Sequence, residues 1–196
     1  MLRVVREGDA PAAPPVPRRA APPGLRGALD GDETERARQL CLNELDRAPR
    51  TRTELAGLLQ RKEIAPDVAE AVLTRFVEAG LIDDAALAES WVATRHRDKG
   101  LSRGTLSQEL RRRGVEEHVA AEAVAAIDPD DELAAARQLI ERKRRSTAGL
   151  EPQVRVRRLV GLLARKGYPA GVAFQVVRDA LAEEDAAYDE LVDPEA

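Results

Sequence analysis

From residue 34 onward the apolar positions fall three and four residues apart, as in Leu55, Leu58, Leu59 and Leu159, Leu162, Leu163, the spacing of amphipathic helices. Breaks between the periodic stretches carry helix punctuation. Thr51 with Glu54 reads as a capping box, Asp128 and Ser102 as N-caps, and Pro66, Pro129 and Pro152 stand where a first helical residue belongs. Gly80, Gly100, Gly114 and Gly167 each follow a periodic stretch, as C-terminal glycines do. The pattern predicts nine helices, at about 34–47, 52–63, 66–79, 84–98, 103–113, 116–127, 129–145, 152–166 and 169–184. Half of the twelve prolines lie within Pro11–Pro23, which cannot keep a helix ladder, so residues 1–31 are expected to form a disordered Pro/Ala/Arg-rich arm.

The helices group into repeats. Setting Leu59, Leu110 and Leu163 in register also aligns Leu55, Leu106 and Leu159, then Val68, Val119 and Val172. The basic helix ends recur as Arg61-Lys62, Arg112-Arg113 and Arg165-Lys166. Ala37, Ala88 and Ala136 align upstream, as do Leu40, Trp91 and Leu139. The third unit carries extra residues around Arg144–Glu151, which lengthen its first helix or the loop after it. The expected fold is therefore all-α: an elongated array of three tandem three-helix repeats, helix-turn-helix-like, at 32–82, 83–127 and 128–182, followed by an acidic tail at 183–196.

Composition narrows the function classes. Aromatic residues make up 3% of the 196, which disfavours an all-β fold. The single cysteine, Cys41, cannot form an intramolecular disulfide and is expected in the core. No apolar run is long enough to span a bilayer and the N-terminus lacks a signal-peptide core, so a cytoplasmic protein without membrane contact is expected. His96 and His118 lack the spacing of a metal site, no phosphate-binding glycine motif occurs, and Asp83-Asp84 opens a helix where its dipole favours negative charge. Neither catalysis, metal nor cofactor is expected. Trp91 aligns with leucines and is expected to pack in the core.

The net charge of -4 conceals an asymmetry: residues 1–33 are neutral, the body from Thr34 to Ala182 holds 26 basic and 23 acidic residues, and the tail has seven acids with no Lys or Arg. Two basic bands stand out. One comprises Arg95, Arg97, Lys99, Arg103, Arg111, Arg112 and Arg113. The other contains Arg142, Lys143, Arg144, Arg145, Arg155, Arg157, Arg158, Arg165 and Lys166, with Arg137 ahead of them. Such density attracts phosphates or an acidic protein surface. The third helix of each of the first two units is net acidic and unsuited to the major groove, which ranks a helix-turn-helix transcription regulator as the lesser alternative.

The run Gly80-Leu81-Ile82-Asp83-Asp84, then Ala88, Trp91-Val92, Arg95, Lys99-Gly100 and Glu109-Leu110-Arg111-Arg112-Arg113-Gly114-Val115, resembles the central motif of the bacterial RecX regulators. Val156, Leu162-Leu163, Arg165-Lys166-Gly167-Tyr168 and Val172 resemble that family's closing repeat. The resemblance covers about residues 34–182. Leu87 stands where the family often has an aromatic residue. Glu63 replaces the glycine that usually ends the second helix of the first unit, so that turn is expected to close differently. The resemblance implies a non-enzymatic modulator of the RecA recombinase that lies in the groove of the RecA filament on single-stranded DNA. It would inhibit ATP hydrolysis, strand exchange and co-protease activity in DNA repair and the SOS response. The basic residues of both bands are its contact candidates, with single-stranded DNA met weakly or through the filament and the chain itself a monomer.

Overall fold

A computed structural model describes residues 23–192, with side chains described from 31 to 185. Among the described residues there are nine α-helices and no strand: α1 Pro23–Arg47, α2 Arg52–Arg61, α3 Pro66–Glu78, α4 Asp84–Lys99, α5 Arg103–Arg112, α6 Glu117–Ala125, α7 Pro129–Arg144, α8 Pro152–Arg165 and α9 Ala170–Val192. The predicted helices appear in their predicted places, and the largest differences are at the two ends. Of the predicted arm, residues 1–22 lie outside the described residues, while 23–31 belong to α1; Pro23 opens that helix where its missing N–H and fixed φ cost nothing. Likewise α9 runs through 183–192 of the predicted tail, and 193–196 are outside the described residues. The extra residues of the third unit form a 3₁₀ turn at Arg145–Thr147 and a longer α8.

Each unit packs its three helices around its own small core, and the aligned positions fill it. Ala37, Ala88 and Ala136 are fully buried, as are Leu59, Leu110 and Leu163, with Leu106 and Leu159 beside them and Leu55 almost so. Cys41 is buried in the first core, and burial pushes its thiol up to about 11, consistent with a small packing residue. Trp91, like Leu40 and Leu139 at the aligned positions, is half-buried against its unit's core; unlike them it also makes a polar contact, its indole N–H donating to Glu109 at 2.9 Å.

The repeats join end to end through their middle helices. At the first junction the C-terminus of α5 abuts the N-terminus of α2: the Thr51 hydroxyl donates to the Arg113 carbonyl at 2.7 Å and the Thr53 hydroxyl to the Gly114 carbonyl at 2.9 Å. At the second, α8 meets α5, where the Ser102 N–H donates to the Lys166 carbonyl at 3.0 Å. The hydroxyl of buried Tyr168 reaches the carbonyls of Gly100 and Glu132 there. Burial first, and then the charge of Glu132, pushes that phenol up to about 12. At both junctions an acid on the first helix of the next repeat caps the middle helix. Asp84 accepts from the Arg52 N–H at 3.0 Å and Glu132 from the Arg103 N–H at 2.7 Å. Orphan donors of one repeat are thus satisfied by acceptors of the next. Desolvation raises the Asp84 carboxyl, consistent with its place between repeats.

Glu54 strengthens the first junction. Its carboxylate closes the predicted capping box by accepting the Thr51 N–H at 3.0 Å, and it also holds Arg113 through two contacts of 2.8 Å each. Burial raises the Glu54 carboxyl, but the Arg113 and Thr51 hydrogen bonds and the charges of Arg113 and Arg50 outweigh it, leaving the group below its ordinary value.

The junctions also explain two glycines. A Cβ on Gly114, φ +79, would lie 2.4 Å from the Thr53 side chain, and one on Gly167, φ +88, 1.8 Å from the Thr105 hydroxyl. Glu63 occupies the same turn in the first unit. Contrary to the expectation of a different closure, it adopts φ +58 and keeps the geometry of the other two repeats: the Ile64 N–H donates to the Leu59 carbonyl at 3.1 Å, as Val115 does to Leu110 and Tyr168 to Leu163. The side chain is tolerated because Glu63 is exposed and no earlier repeat abuts it among the described residues.

Two stability predictions follow from this geometry. Glu63→Gly relieves a left-handed residue and is expected to stabilise the protein by about 1 kcal/mol in chemical denaturation. Arg113→Ala is expected to cost about 2 kcal/mol at neutral pH. Because the folded Glu54 pKa is depressed, the pair's contribution is present above the ordinary carboxylate value and is lost as the pH falls through the folded one. Denaturation curves of wild type and variant should therefore converge toward acid pH.

Candidate partner-binding interface

The structure sorts the basic bands into two groups. Arg113, Arg144 and Arg155 hold the fold together. Arg113 has only 16% of its side chain exposed and clamps Glu54; Arg155, at 13%, holds Glu184 at 2.6 Å, and Arg144 meets Glu141 and the same Glu184. Glu184, read from the sequence both as the end of the last helix and as the start of the acidic tail, sits on α9 and ties the three helices of the third unit. The Arg103 Nε is buried without a hydrogen-bond partner. Arg95 and Lys166 are half-buried.

The second group faces solvent. Arg97, Lys99, Arg111, Arg112, Arg142, Lys143, Arg145, Arg157, Arg158 and Arg165 are exposed. Arg97 has Asp98 beside it at 3.1 Å, and Arg111 makes only a 3.8 Å contact with exposed Glu117, so neither is strongly neutralised.

Cations from separate repeats converge where the first two units meet. A groove of about 860 Å³ is lined by the end of α1, the Gly80–Leu81 turn, one face of α4 and the C-terminus of α5, and receives Arg50, Arg95, Arg112 and Arg113. A second cleft of about 420 Å³ brings Arg61 to Arg50, Arg112 and Arg113. None of the third-repeat cations lines either. Arg50 and Arg61 are absent from the bands read along the chain because their neighbours in sequence are not a dense run. The recurrence of Arg61-Lys62 with Arg112-Arg113 was the available signal for Arg61. Between the two repeats lies Trp91, with the Arg95 and Arg113 guanidiniums 4.1 and 4.6 Å from its ring centre. This surface can neutralise anionic groups across two repeats, and it gathers no set of acid, base and nucleophile for bond chemistry.

The histidines have local roles: His96 Nδ1 lies 3.0 Å from the Leu101 carbonyl, and exposed His118 lies beside Glu116. No group of His, Cys, Asp or Glu that could hold a metal gathers among the described residues, and no helix there is long and apolar enough to cross a membrane.

Three family models match the chain in order: the first three-helix domain of RecX at residues 37–76, the second at 83–124 and the third at 130–177. The chain is 49% identical over 171 residues to the regulatory protein RecX of Thermobifida fusca, covering 87% of this chain and 92% of that protein. It is 48% identical over 159 residues to the regulatory protein RecX of Streptomyces lividans, covering 81% and 85%. A crystal structure of RecX from Lactobacillus salivarius superposes with a TM-score of 0.69 at 19% identity, over 76% of this chain and 97% of that one, and shares the fold. Three consecutive domain matches and close relatives over most of the chain agree with the three-helix units and their order: the protein belongs to the RecX family of regulatory proteins.

Proposed function

We propose that this chain regulates the RecA recombinase by binding the filament that RecA forms on single-stranded DNA, restraining its ATP hydrolysis, strand exchange and co-protease activity. The observation that carries this reading is the convergence of cations from successive repeats on one junction, with Arg61 and Arg112 exposed and Arg50 and Arg95 half-buried there, in a chain of the regulatory RecX family. Phosphates and acidic protein groups of a filament are natural counterparts of such a surface. The protein acts in the cytoplasm by binding, without catalysis or cofactor, and as a monomer.

A helix-turn-helix transcription regulator accounts for the surface less well. The third helices that would enter the major groove carry exposed Asp67, Glu70 and Glu78 on α3 and exposed Glu117 and Glu122 on α6, which has no Lys or Arg. A binder of naked single strands needs several stacking aromatics, whereas this chain has five aromatic residues in all and the Trp91 ring already meets two guanidiniums.

Reversing all of Arg111–Arg113 would break the Arg113–Glu54 clamp along with the surface, so the informative variant is Arg111→Glu with Arg112→Glu. The double variant is expected to retain wild-type circular dichroism and thermal stability, while the concentration needed to inhibit recombinase ATP hydrolysis on single-stranded DNA rises at least about tenfold. Inhibition at the wild-type concentration would remove these residues from the interface.

A further inference from the structure

The larger groove between the first two repeats is more than a cationic patch. Its lining includes Leu45, Ala48, Pro49, Leu81, Leu87 and Trp91, and Leu81 is 50% exposed beside it. Each carboxylate that lines it already serves the fold: Glu54 clamps Arg113, Glu109 accepts the Trp91 N–H, and Asp83 caps α4 by accepting the Ala86 N–H. The cations are less satisfied. Arg95 and Arg112 have no carboxylate partner among the described residues, and Arg50, although it reaches Glu44 at 2.9 Å, leaves its buried Nε unpartnered. What the groove lacks is a set of carboxylates around an apolar side chain.

A nucleic-acid strand fits less well. It would bring phosphates to the arginines, but its bases gain most by stacking on aromatic faces, and the guanidiniums of Arg95 and Arg113 already lie over the Trp91 ring. Aliphatic walls with a cationic rim instead match a peptide that seats one apolar anchor and pairs its flanking acids.

We propose that this groove docks an acidic peptide segment of a protein partner, with an aliphatic side chain against Leu45, Leu81 and Trp91 and carboxylates on Arg50, Arg95 and Arg112. The assignment deepens the filament reading and rests on it only in taking the partner to be the filament's protein component; the groove chemistry stands by itself.

Trp91 is the sole tryptophan of the chain, so its emission reports occupancy of the groove in the full-length protein. The probe is a short tryptophan-free peptide of aspartates and glutamates flanking two leucines. It is compared with the same peptide carrying serines for leucines and with an oligothymidylate of equal charge. The leucine peptide is expected to shift the Trp91 emission saturably and to bind at least about tenfold more tightly than the serine peptide. Leu81→Asp, at a half-exposed position, is expected to weaken it by a similar factor, whereas Arg178→Glu, exposed in the third repeat and outside both basic bands, is expected to leave it unchanged. Oligothymidylate shifting the emission at lower concentration than the peptide, equal binding of the leucine and serine peptides, or an indifferent Leu81→Asp would each overturn the assignment. A failed peptide titration alongside intact inhibition of the recombinase would overturn this assignment alone. A bound peptide with no effect on the recombinase would overturn the filament reading alone.

Discussion

The Glu54 carboxylate belongs to two repeats at once. It closes the N-terminus of α2 through the Thr51 N–H and grips Arg113 at the end of α5, so a local helix cap is also the fastening between units. The surrounding contacts obey the same constraint. A middle helix begins with N–H groups that need acceptors and ends with carbonyls that need donors, and stacking them end to end lets each repeat answer part of the other's need. The opposed partial charges at these helix ends favour the same arrangement. A three-helix unit has too small a core to be strongly stable by itself, so the order of the array depends on these joints.

The two joints are built differently. At the first, Glu54 faces Arg113; at the second the aligned residues are Thr105 and Lys166, and backbone contacts with the buried Tyr168 hydroxyl take the place of the ion pair. Charge is therefore concentrated at the first joint, where Arg113 also lies over Trp91 and where Arg50, Arg61, Arg95 and Arg112 gather. The residues that fasten the first two repeats and those that face a partner are neighbours, and some candidates by charge prove to be fasteners.

The local part of this organisation was legible in the sequence. Caps, terminal glycines and the leucine register act within a few residues of the chain, so the helix positions and the three cores followed from them. What escaped depends on contacts distant in sequence. Arg113 reads as one of three arginines in a basic run, and its partner Glu54 lies 59 positions away. Arg144 and Arg155 read as free cations because Glu184, at the expected end of the last helix, lies at least 29 positions away and only the packing of α9 brings it to them. Trp91 aligns with leucines, yet its indole and the guanidiniums around it make it part of a groove wall. The left-handed Glu63 shows the converse: the turn geometry persists without the glycine where no neighbouring repeat excludes a Cβ.

The central claim is that the joints make three small units into one regulator, and Gly114→Ala tests it most directly. The added Cβ falls 2.4 Å from Thr53 at a left-handed position, so the variant strains the first joint while leaving every basic side chain in place. With helical content retained below its melting temperature, it is predicted to inhibit recombinase ATP hydrolysis on single-stranded DNA at least about tenfold less potently than wild type. Inhibition at the wild-type concentration would contradict the account, because the repeats would then act without being fastened to one another.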